Sequence, residues 1–170
     1  MRELVGRVVS DRVREYFSES PVGITPQPVI HPPAEAEALA ALERRSAQPL
    51  EAGYREFLLL TDGMEGFSVV LLGCHDWEPG GAGEAAEEFR RAVVESGTPE
   101  DVGIPPGTPL FPVAVNLDRS QGIFLIDTAG LAKERFWWTG EGDSLFFSGF
   151  ADILGYLIDV DSCDPRETLD

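Results

Sequence analysis

The chain has 170 residues, 43% apolar and 9% aromatic, with 30 acidic against 13 basic residues and a net charge of −17. That apolar fraction supplies the core of one domain over residues 1–170 and excludes a mainly disordered chain. The charge argues against a direct nucleic-acid ligand, because phosphate backbones are bound by clustered Lys and Arg, whereas here the basic pairs Arg44-Arg45 and Arg90-Arg91 sit on predicted helices beside acids.

A basic protein partner, or solubility alone, accounts for such a balance. The first 17 residues alternate charged and apolar groups, unlike a signal peptide, and no segment approaches the roughly 20 apolar residues of a membrane helix. A cytoplasmic protein is expected, with Cys74 and Cys163 as free thiols.

Val5, Val9, Val13 and Tyr16 recur at helical spacing and predict an amphipathic first helix. Residues 18–33 carry Pro21, Pro26, Pro28, Pro32 and Pro33 and read as a crossing without helix or central strand. A second helix begins near Pro33, with Ala34, Ala38 and Leu42 inward. After Pro49, Tyr54, Phe57 and Leu58 share one face of a third helix that Gly63 is expected to cap in the left-handed conformation.

Phe67 to Leu72 is a short apolar run between glycines and reads as a buried strand. Glu84 to Glu95 predicts a helix with Ala85, Phe89 and Ala92 inward, flanked by Gly- and Pro-rich loops. From Leu110 the segments FPVAVNL, GIFLID, RFWW and SLFF are separated by connections too short for a parallel return, so they form an antiparallel meander. A last helix, capped by Ser148, buries Phe150, Ile153, Leu154, Leu157 and Ile158. The polar tail 161–170 is expected to fray. The fold class is therefore α+β: a mainly antiparallel sheet of about five strands, with N-terminal helices and a C-terminal helix packed against it.

This element order, with LERRSAQPLEAGYREFLLLTDGMEG and the closing SLFFSGFADILGYLI, resembles the SUKH superfamily over roughly residues 35–160. That superfamily includes the yeast cell-wall-assembly regulators and many bacterial immunity proteins. Leu42, Leu50, Tyr54, Phe57, Leu58 and Gly63 match its pattern, whereas Glu51 stands where proline is usual and Asp62 where asparagine is. The resemblance implies a protein that acts by binding, typically neutralising a cognate toxin that is often a nuclease. It brings no shared set of catalytic residues.

Other chemistry is weaker on residue type and spacing. Cys74, His75 and Asp76 supply a nucleophile, a base and an orienting group, but neighbours in an extended chain point to opposite sides and such pairs are normally assembled from distant segments. The possible zinc ligands Cys74, Cys163, His31 and His75 lack CxxC or HxxxH spacing. Glu141 with Asp143, or Asp159 with Asp161, could at most hold calcium weakly. Gly81-x-Gly83-x-x-Ala86 imitates a dinucleotide fingerprint, yet no strand precedes it, and Glu84, Glu87 and Glu88 would repel a pyrophosphate.

Trp137 and Trp138 face opposite sides of a strand, and the usual burial of tryptophan favours both being packed. An exposed Trp138 beside Glu141 and Asp143 would instead be a binding anchor. The expected function is a non-enzymatic binder of a basic protein, with Trp138, Glu141, Asp143, Asp159 and Asp161 as candidate partner-binding residues and no catalytic, cofactor or metal site. A regulatory module acting on a cellular protein and a thiol-dependent hydrolase using Cys74 are the alternatives.

Overall fold

A computed structural model describes residues 1–19 and 27–169. Pro21 and Pro26 of the crossing, and Asp170 of the tail, lie outside the described residues. Among the described residues six α-helices and seven strands follow one another as α1 (Arg2–Glu19), β1 (Val29–Ile30), α2 (Ala36–Arg45), α3 (Ala52–Leu58), β2 (Met64–Glu65), β3 (Val70–Leu71), α4 (Ala82–Glu95), α5 (Thr98–Asp101), β4 (Leu110–Val115), β5 (Gln121–Ile126), β6 (Phe136–Gly140), β7 (Asp143–Phe147) and α6 (Phe150–Ile158). The strands form one sheet in sequential order, and every neighbouring pair is antiparallel.

The α+β class and the meander hold, but the sheet has seven strands where about five were expected. The additional strands β1 and β2 have two residues each. Segments this short are specified by backbone pairing and carry almost no side-chain alternation.

Both faces of the sheet are covered. Ile123, Leu125, Phe136 and Trp138 pack in a core with residues of α1, α2, α3 and α6, while Phe124, Ile126, Trp137 and Phe146 pack with Ala86, Phe89 and Val93 of α4. This is why GIFLID and FWW read as continuous apolar runs: each successive side chain enters one core or the other. Gly122 admits α4 to the sheet, because a Cβ there would lie 2.8 Å from the Phe89 ring. Phe89 stacks on Phe124 with centroids 5.8 Å apart.

Several expectations are corrected. The inward face of α1 centres on Val8, and that of α4 on Gly83, Ala86, Phe89 and Val93, with Ala92 exposed. In α2, Leu39 and Leu42 are buried, and Ala38 only partly. The stripe of α3, Phe150, Ile153 and Leu154 of α6, and the inward Leu42 and Phe89 are buried as expected, whereas Val8, Leu39 and Val93 lie one position from the predicted Val9, Ala38 and Ala92, a small rotation that docking decides.

Helix α3 stops at Leu58, so Gly63 is not its cap. Its φ of +92° serves a close approach instead, since a Cβ would sit 2.8 Å from Gly73 N. Helix α5 lies within a stretch expected to be loop.

Ser148 does not cap α6. The N-cap is Gly149, whose N–H donates to Asp152 Oδ2 at 3.1 Å. The tail is also held: Phe146 N donates to Arg166 O at 2.7 Å and Leu169 N to Val102 O at 3.0 Å, laying the chain along the β7 edge. Among the described residues no helix is long and apolar enough to cross a membrane.

Candidate functional site

A concave surface runs along α2, and its geometry begins with the turn after α3. The Thr61 hydroxyl donates to His31 O at 3.0 Å and accepts from His31 N at 3.1 Å, while Asp62 N donates to Pro32 O at 2.9 Å. These bonds clamp residues 31–33 beside the turn. The Asp62 carboxylate then accepts from the backbone N–H groups of Cys74 and His75, fixing the entry to a single 3-10 turn, His75–Trp77.

That turn brings His75 against His31, with ring centroids 4.2 Å apart. His75 Nδ1 lies 3.2 Å from Asp62 Oδ2, and His31 Nε2 lies 3.3 Å from Glu65 Oε1. A carboxylate can only accept, so the Nδ1 proton of His75 points at Asp62. Asp76 is buried and accepts from Gly73 N at 2.8 Å. Burial pushes its carboxyl up from the ordinary value, against the lowering effects of that hydrogen bond and of His75.

Cys74 stands beside this pair but is poorly suited to attack. Burial, followed by the charge of Asp62 and a hydrogen bond to it, pushes the thiol up to about 12. At neutral pH it is protonated, and the thiolate is the nucleophilic form. The CHD segment is thus drawn together with His31, Asp62 and Glu65 from other parts of the chain, and those partners hold carboxylates, not a thiolate, against the imidazoles. Among the described residues no group of three or more His, Cys, Asp or Glu side chains is arranged to hold a metal ion.

From the histidine pair the groove continues along α2. Its first compartment, about 500 Å³, is walled by Pro32, Pro33 and Ala38 and carries Glu35, Asp62 and Glu78. Ala38, Cys74 and Glu78 also line the next compartment, where Arg45 and Trp77 enter. The Arg45 guanidinium lies 5.1 Å from the centre of the Trp77 ring, which stacks on Phe111 at 5.0 Å. Past them the groove opens towards Glu84, Glu87, Glu88 and Arg91.

The residues singled out from sequence lie elsewhere. Trp138 is only 8% exposed, packed between Phe147 and Tyr156, so it is not an exposed anchor; α6 covers the ring that the strand turns outward. Trp137 is fully buried on the opposite face, where its Nε1 donates to Ser144 Oγ at 2.9 Å. Glu141 and Asp143 are exposed at the β6–β7 turn, and Glu141 accepts from Ser120 Oγ and Gln121 Nε2, both at 2.7 Å. Asp159 ends α6 and accepts from Asp161 N at 3.0 Å. Among the described residues no hydrogen bond or ion pair joins the two acidic pairs.

Sequence reasoning missed the groove because His31, Asp62 and Glu78 are far apart in the chain. The available signal was the CHD segment, read as a failed triad and not as the meeting point of two loops. No protein-family model and no curated protein matches this chain.

Proposed function

We propose that the protein is a non-enzymatic binding module of the immunity type, which occupies a basic surface of a cognate toxin domain and blocks it. The observation that carries this reading is exposed carboxylate left free by folding. The net charge is −17, and Glu35, Glu78, Asp143 and Asp161 are exposed with no side-chain hydrogen bond or ion pair among the described residues. A nuclease domain must present Lys and Arg to phosphate, and free carboxylates compete for those groups. The resemblance in element order supports the same reading. The protonated Cys74 thiol weighs against the hydrolase alternative.

Co-expression with a toxic domain encoded by the adjacent gene is the test. Growth should be restored together with formation of a stable complex, and restoration should persist in Cys74→Ser. A folded chain that neither binds the domain nor protects the cell would overturn the proposal. So would protection that disappears in Cys74→Ser with binding intact, because that pattern belongs to catalysis.

A further inference from the structure

We propose that the α2 groove at His31 and His75 is a pocket for one basic side chain, an arginine of a protein partner. This rests on the binding function proposed above and names the place where that binding is specific.

Three carboxylates, Glu35, Asp62 and Glu78, line this compartment, and no lysine or arginine does. Glu35 occupies the N-cap position of α2, where a side chain normally accepts from the first turn of the helix, yet its carboxylate makes no such bond. Glu51, at the equivalent position of α3, does cap its helix, accepting from Tyr54 N at 2.9 Å. Glu78 follows the 3-10 turn and likewise has no side-chain partner among the described residues.

The other acids of the groove are engaged. Glu84 accepts from Gly80 N, Glu87 pairs with Arg90, and Glu88 pairs with Arg119. Free carboxylates at a concave site therefore coincide at the histidine end, while the far end carries its own cations, Arg45 and Arg91.

The walls fit a long cationic side chain. Pro32, Pro33 and Ala38 offer apolar surface to an aliphatic stem, and the clamp of residues 31–33 onto Thr61 and Asp62 keeps that surface in place. Arginine suits the site better than lysine, because its planar fork of five donors can serve two carboxylates at once, whereas an ammonium is a compact, strongly hydrated charge.

The experiment titrates the full-length protein with acetyl-Gly-Arg-Gly-amide and with the same peptide carrying citrulline, an uncharged analogue of arginine, while the His31 and His75 ring signals are followed by NMR. The arginine peptide should shift both rings saturably, with a Kd at least about tenfold below that of the citrulline peptide, since only the charge differs. Glu35→Gln with Glu78→Gln should abolish that preference at an unchanged melting temperature, whereas Asp143→Lys should leave the ring shifts saturable. Equal response to both peptides, an unaltered preference in the Gln double variant, or shifts confined to the β6–β7 turn would each overturn the pocket. A cognate toxin bound at full affinity by the Gln double variant would also overturn it, while leaving the binding function intact. Arginine selectivity in a protein that fails to protect against any adjacent toxin would uphold the pocket and overturn the immunity reading.

Discussion

Glu51 and Phe150 are 99 positions apart, and the Glu51 carboxylate accepts from Phe150 N at 3.4 Å while also accepting from Tyr54 N at 2.9 Å. One side chain therefore serves the N-termini of α3 and α6, where unpaired N–H groups and the helix dipoles favour a negative charge. Glu51→Ala should lower stability by about 1–2 kcal/mol, the usual cost of losing an N-cap. Urea denaturation measures it, and an unchanged midpoint would mean that solvent replaces the carboxylate.

The contact of Phe89 with Gly122 gives a second prediction. A methyl group at Gly122 meets the ring at 2.8 Å, so Gly122→Ala should destabilise by about 1–3 kcal/mol through overpacking. In a Phe89→Ala background that penalty should shrink to what the Ala114 carbonyl, 3.0 Å from the same Cβ, still imposes. A double-mutant cycle checks this, and simple additivity would show that the ring is not what the methyl group meets.

Trp138 should behave as a core residue. Because Tyr156 and Phe147 cover its ring, Trp138→Ala should cost about 3–5 kcal/mol of folding stability. Leu154, fully buried in α6, should cost about 2–5 kcal/mol when changed to Ala. A Trp138→Ala protein with wild-type stability and faster partner dissociation would restore the anchor role that burial contradicts.

Alkaline pH should weaken the fold in a way traceable to Cys74. Its folded pKa, about 12, lies above the ordinary thiol value of 9.0. The folded state therefore keeps a proton that the unfolded state releases, and stability falls as pH rises above about 9 towards 12. Tyr54 and Cys163 are pushed up as well, both chiefly by burial, and add to the same decline. Cys74→Ala should make the loss between pH 9 and pH 11 shallower without removing it. Denaturant midpoints across that range provide the measurement, and identical slopes would place the Cys74 thiol nearer its ordinary value.

The element order, the antiparallel meander and the burial of α6 were legible in the chain. They rest on local signals: the 3.6-residue spacing of Phe150, Ile153 and Leu154, and connections too short to return a parallel strand. The rest required coordinates. A helical stripe leaves its rotation open by about one residue, which is how Val8 and Val93 displaced their neighbours. An unbroken run such as GIFLID signals burial without saying that α4 covers the second face.

Trp138 shows the same division, since alternation places its ring on one face of β6 and only the docking of α6 determines whether that face meets water. The candidate groove is farthest from sequence. His31, Asp62 and His75 have no periodic relation, and hydrogen bonds of the Thr61 hydroxyl and the Asp62 carboxylate place them together only after the chain has closed on itself.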